Sequence, residues 1–105
     1  RVRGSRQNMP RQLVKDRAAE ADLIGVWLYS YQHWGERQAD RYLDAIESAL
    51  RRTLVDPESG NSRMQRREGY WSLRVQHHVL FYTFTRREVR LRRVLHEAMD
   101  PDINM

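Results

Sequence analysis

Three consecutive runs of alternating polar and apolar residues fill the C-terminal third of the chain. In Tyr70–Val75, Trp71, Leu73 and Val75 share one parity and Tyr70, Ser72 and Arg74 the other, as in a strand with one buried side. Val79–Phe84 carries large apolar or aromatic groups at both parities, so both its faces need cover and it belongs in the middle of a sheet. Val89–His96 places Val89, Leu91 and Leu95 on one face and Arg90, Arg92, Val94 and His96 on the other, with Arg93 intruding on the apolar parity. The pattern predicts a meander of three antiparallel strands joined by tight polar turns.

Upstream the period lengthens. Leu23, Ile24, Trp27, Leu28, Tyr31 and Trp34 recur at helical spacing behind Asp16, an N-cap residue type, and Gly35 supplies the usual helix stop. A second helix opens at Glu36 with the stripe Ala39, Tyr42, Leu43, Ile46, Leu50 and Leu54, and Asp56-Pro57 ends it. Joined only by Trp34-Gly35-Glu36, the two helices are expected to form a hairpin that covers the sheet. Gln12-Leu13-Val14 is a short extended candidate. The expectation is an α+β fold, an N-terminal helical hairpin packed on a three- to four-stranded antiparallel sheet. So small a sheet leaves Leu28, Tyr31, Trp34 and Tyr42 only partly covered, and exposed apolar patches of that kind mark interfaces.

Residues 1–10 show no periodicity and are read as a tail or tag remnant, with Met9 as the natural start, ahead of a single domain over 11–105. Cysteine is absent, which excludes a disulfide framework and thiolate chemistry. No apolar run approaches a membrane span, so a cytoplasmic protein is expected. The net charge of +5 comes from residues 1–15, which hold five basic groups and no acid. Beyond them the signs balance but are polarised: residues 16–60 carry nine acidic and five basic groups, residues 61–105 five and nine. Such a split suits two partners on two faces, and equally an ordinary solvated surface.

His77-His78 does not make a metal site, because neighbours on a strand point to opposite faces; a structural hydrogen bond is expected of His78 and a solvent-facing position of His33. No cofactor is implied. Trp27, Trp34, Trp71, Phe81, Tyr82 and Phe84 fall mostly on core-facing stripes, which favours packing over a base-stacking platform; no specific nucleic-acid binding by the chain alone is expected, only a nonspecific, salt-sensitive attraction through the arginines of the tail.

Arg67-Glu68-Gly69-Tyr70, His78-Val79-Leu80-Phe81-Tyr82 and Arg93-Val94-Leu95-His96 followed by Met99-Asp100 resemble, in order and spacing, the ParE branch of the RelE/ParE toxins. Ala19-Glu20-Ala21-Asp22-Leu23, Trp34-Gly35 and Gln38-Ala39 to Tyr42-Leu43 extend the resemblance over roughly residues 12–102. The resemblance implies a first strand at Leu13-Val14, a plasmid-stabilisation type of toxin, and binding to DNA gyrase that blocks its turnover without catalysis. It also implies a ParD-like ribbon-helix-helix antitoxin, for which Leu28, Tyr31, Trp34 and Tyr42 are the candidate contacts. Arg67, Tyr70, Arg74, Arg93, His96, Met99 and the segment from Asp100 to Met105, all in the basic half, are the candidate gyrase contacts. The competing possibility for Tyr70, Arg93 and His96 is that they hold strands together. The alternative activity is ribosome-dependent messenger cleavage of the RelE type, for which Arg67, Arg74, Arg93 and His96 on adjacent strands would supply two arginines to stabilise phosphate charge and a histidine as general acid. Against it, cleaving relatives commonly carry a tyrosine near the C terminus, and none follows Tyr82 here.

Overall fold

A computed structural model describes residues 11–105; the expected tail, residues 1–10, lies outside the described residues. The elements are β1 (Gln12–Lys15), α1 (Arg17–Trp34), α2 (Glu36–Val55), a 3₁₀ turn (Pro57–Ser59), β2 (Asn61–Ser62), β3 (Trp71–Val75), β4 (His78–Phe84), β5 (Glu88–His96) and α3 (Pro101–Asn104). The class is α+β. The sheet departs from the expected antiparallel set of three or four strands: it has five, in the order β1-β5-β4-β3-β2, and it is mixed, because β1 runs parallel to β5. A four-residue strand encodes neither the edge it joins nor its direction. β4 lies in the centre as its two-sided apolar pattern requires, with Leu80 and Tyr82 fully buried and Phe81 nearly so.

The parity of β5 differs from the expected one. Phe81 pairs with Arg93 and Tyr82 with Leu91, so Arg92 is an extra residue, a bulge. Everything beyond it changes sides. Val89 and Leu91 share the helix-facing side of the sheet with Val94, and Leu95 turns to the opposite face, opposite Val79. The apparent intrusion of Arg93 on an apolar parity is the mark of this bulge.

Gly35 alone joins α1 to α2, at a φ of 89° that a side chain would resist, and its N–H closes the last turn on Tyr31 O. α2 buries Ala39, Tyr42, Ile46, Ala49, Leu50 and Thr53, close to the expected stripe. For α1 the expected stripe is wrong. Its buried residues are Ala19, Val26 and Ser30, with Leu23 partly buried, while Ile24, Leu28, Tyr31 and Trp34 are exposed. Small residues fill the side of this helix that is covered by α2 and β5, and most of the large ones lie on its free sides. Asp16 stands at the N-cap position, but its carboxylate makes no capping bond and instead bridges Arg90 (3.0 Å) and Arg92 (3.2 Å).

The chain passes tightly from α2 back to the sheet. A Cβ on Gly60 would stand 2.4 Å from Ser72 O and 2.6 Å from the Tyr82 hydroxyl, which itself donates to Pro57 O at 2.7 Å. Tyr82→Phe leaves that carbonyl without its partner and is expected to cost about 1–3 kcal/mol in urea unfolding. Gly60→Ala is expected to cost a similar amount by overpacking, about 1–3 kcal/mol. Unchanged unfolding midpoints for both would contradict the close approach.

Candidate functional site

Two hollows flank the C-terminal end of β5. The first is a groove of about 450 Å³ on the sheet face away from α1 and α2, roofed by the loop before β3 and by the C-terminal residues. It gathers Arg67, Tyr70, Arg74, His96 and Met99, together with Asp100, Pro101, Asp102 and Met105 of the C-terminal segment, all among the residues singled out from sequence. Two guanidinium groups lie over the Tyr70 ring, Arg67 at 5.3 Å and Arg92 at 5.7 Å from its centroid, and Arg92 Nε donates to its hydroxyl at 3.2 Å. Arg74 pairs with Glu97, whose second oxygen meets His77 Nδ1 at 3.0 Å. The His77 hydrogen bond first, and then the Arg74 charge, hold the Glu97 carboxyl below the usual range. Asp100 caps α3 by accepting the Asp102 N–H at 2.9 Å.

Arg93 is not among the groove-lining residues. Its Nε and Nη2 donate to the two carboxylate oxygens of Asp22 on α1, at 2.7 and 3.1 Å, and its Nη1 donates to Asn104 O. The quartet Arg67, Arg74, Arg93 and His96 is therefore not assembled as one cluster. Arg63 and Arg66, not singled out from sequence, do line the groove: Arg63 Nε donates to the buried Ser72 Oγ at 2.7 Å, and Arg66 pairs with Asp102. Their only signal is membership of a basic loop.

The second hollow, about 920 Å³, lies between α1, the start of α2 and the β3–β4 turn, lined by Val26, Tyr29, Trp34, Gln38, His78 and Val94 among others. The four antitoxin candidates do not share it. Trp34 lines it and is 63% exposed. Leu28 and Tyr31 are exposed but do not line it; with Ile24 they form the outer side of α1, where Tyr31 stacks on Trp27 at 5.2 Å. Tyr42 is a wall of the hollow but only 8% exposed, not partly covered as expected. Its hydroxyl meets His78 Nδ1 (2.6 Å), Val75 O (3.2 Å) and His77 N–H (3.2 Å), so it holds the β3–β4 turn closed. Tyr29, absent from the candidates, is 56% exposed in the same hollow, stacked on His33.

His78 opens β4 and makes the structural hydrogen bond expected of it. Burial first, and the neighbouring His96 and His77 next, lower its pKa from 6.5, Glu97 opposing them weakly. Folded His78 thus binds its proton less tightly than unfolded His78. In the window just below pH 6.5 the unfolded state holds more protons, so stability rises with pH there and is lost on acidification. Glu97 acts in the same direction lower down: its stabilisation is present above 4.5 and lost as pH falls through its depressed folded value. Thermal unfolding midpoints are expected to fall from pH 7 towards pH 5, and His78→Gln is expected to flatten the upper part of that slope. A level midpoint across the range would contradict the burial of His78.

Among the described residues no group of three His, Cys, Asp or Glu side chains is placed to hold a metal, and no helix is long and apolar enough to cross a membrane.

Comparison with known proteins identifies the family. The profile for the ParE toxin of type II toxin-antitoxin system, parDE, matches residues 13–101. Toxin ParE1 from each of two Mycobacterium tuberculosis strains is 37% identical over 89 residues, 84% of this chain and 91% of the relative. Toxin ParE1 of Caulobacter vibrioides is 36% identical over 84 residues, 80% of this chain and 86% of the relative. In three dimensions a chain of the chromosomal ParDE TA system from P. aeruginosa superposes with a TM-score of 0.71 at 17% identity, over 82% of this chain and 95% of that one, which establishes the common fold. With a profile match over nearly all the described residues and relatives above one third identity, this chain belongs to the ParE toxin family of type II toxin–antitoxin systems.

Proposed function

We propose that this toxin acts in the cytoplasm by docking on DNA gyrase and arresting its turnover, without catalysis of its own, and that a ParD-like ribbon-helix-helix antitoxin neutralises it. The observation that carries the reading is family membership over residues 13–101. The groove on the open sheet face supports it as the target-facing surface, since all the candidate contacts but Arg93, Ile103 and Asn104 line it. Against the ribonuclease alternative, Asp22 holds one of its three candidate arginines, Arg93, and no tyrosine follows Tyr82. The hollow beside Trp34 and the bare outer side of α1 supply exposed apolar area for an antitoxin segment. The structural relative, a ParDE system, supports the same partnership.

Supercoiling by purified gyrase is the direct test. The toxin is expected to inhibit it, and addition of the antitoxin to restore it. Unimpaired supercoiling, accompanied by messenger cleavage in a translation extract, would transfer the assignment to the ribonuclease class.

A further inference from the structure

We propose that the groove on the open face of the sheet binds the phosphodiester backbone of single-stranded nucleic acid, and that the chain's own C-terminal carboxylates occupy part of that site in the free protein. Four guanidinium groups border one groove. Arg63, Arg66 and Arg67 belong to a single turn, in which the N–H groups of Arg66 and Arg67 both donate to Arg63 O at 2.9 Å, and Arg74 faces the groove from β3. Two of the four, Arg66 and Arg74, hold Asp102 and Glu97, whereas Arg63 and Arg67 make no ion pair among the described residues. A guanidinium fork receives carboxylate and phosphate oxygens in the same geometry, so these two acids stand where phosphates would.

The remaining features favour a nucleic-acid strand over an acidic peptide. The walls include the apolar Val79 and Phe81, and Arg67 lies over the Tyr70 ring, presenting a flat cation on which a base can stack. A volume of about 450 Å³ is at the small end of ligand sites, enough for part of one strand, and the contact between base and Arg67 needs a base free of its pairing partner. The inference stands apart from the gyrase reading, and its test uses no gyrase.

The test is fluorescence anisotropy with a short fluorescein-labelled single-stranded DNA of mixed sequence, titrated with the toxin at several salt concentrations. Because Arg1, Arg3 and Arg6 are also basic, every protein is measured with and without serine at those three positions. Asp102→Asn and Glu97→Gln are each expected to tighten binding about two- to fivefold, the equivalent of one exposed ion pair. R63A/R67A is expected to weaken it and to reduce the slope of log K against log salt by about 1.4, roughly 0.7 for each phosphate no longer neutralised. All four positions are exposed, but Arg63 also holds the buried Ser72 hydroxyl and Glu97 holds His77, so the unfolding midpoint of every variant is recorded. R67A alone, which leaves the Arg63–Ser72 bond in place, is expected to give about half the change in slope. Affinity indifferent to Asp102→Asn and Glu97→Gln would overturn the proposal, as would binding that vanishes with the serine changes alone. Duplex DNA bound as tightly as the single strand, or polyglutamate bound with the same dependence on the variants, would overturn it too.

Discussion

Asp22→Ala is expected to lower the stability of the folded chain by about 3 kcal/mol. The carboxylate receives three hydrogen bonds from one short stretch of β5: Arg93 Nε at 2.7 Å, Arg93 Nη2 at 3.1 Å and the Val94 N–H at 2.9 Å. That stretch has lost its neighbour, because the pairing of β1 with β5 ends at Lys15 opposite Leu91. Asp22 replaces the missing strand. Its side chain is 17% exposed and that of Arg93 26%, so water only partly restores what the substitution removes. A charge-assisted bond contributes about 1.5–3 kcal/mol, and breaking a fully buried pair costs about 3–5 kcal/mol; partial exposure lowers the sum. Asp22→Asn keeps an oxygen for the Val94 N–H and is expected to lose about half as much. Urea unfolding with an unchanged slope would measure both, and a loss below about 1 kcal/mol for alanine would contradict the account. The same measurement separates two roles for Arg93. If Arg93→Ala loses stability comparably and the double variant loses little more, the residue is structural, and any loss of toxicity in R93A reflects the fold.

Trp34→Ala is expected to weaken antitoxin binding by about 2 kcal/mol or more, roughly thirtyfold, with the unfolding midpoint nearly unchanged. The two halves of the expectation come from one number. At 63% exposure the indole contributes little to the free protein's core, yet it stands on the rim of the larger hollow as a large, rigid anchor. Leu28→Ala and Tyr31→Ala map how far the partner wraps: losses at both place it around the outer side of α1, and losses at Trp34 alone confine it to the hollow. Tyr42→Phe behaves oppositely, since removing a hydroxyl with three partners loosens the β3–β4 turn and lowers stability. Isothermal titration with each variant decides, and full affinity in the Trp34 variant would remove this surface from the interface.

Much of this architecture was legible in the residues, and the exceptions share a cause. Apolar groups at both parities marked β4 as central, the α2 stripe named its buried face, and His78 fell at a strand start. All three signals are local. The bulge at Arg92 is not, since it depends on how β5 pairs with β4; a strict two-residue period therefore assigned Val94 and Leu95 to the wrong faces. The orientation of α1 was hidden because its large residues spread around most of its circumference, and its buried positions, Ala19 and Ser30 among them, carry little hydropathy signal. Nothing local sets Asp22 apart from the other acids of the helices, since its partner Arg93 lies 71 residues away. The groove was anticipated as a basic region near the end of the sheet, but Arg63 and Arg66 enter it only because their loop folds back over β3.

The two borders of the sheet are stubs. β1 contributes four residues at one margin and β2 two at the other, and Asp22 occupies the backbone donor of Val94 where β1 stops. A long bare margin is a template on which identical chains polymerise, and a small aromatic-rich sheet is a strong candidate for that fate. The stubs leave the margin in short pieces, residues 73–75 of β3 beyond β2 and residues 92–96 of β5 beyond β1, the latter interrupted by Asp22 at Val94, and pieces so short are poor templates for edge-to-edge pairing.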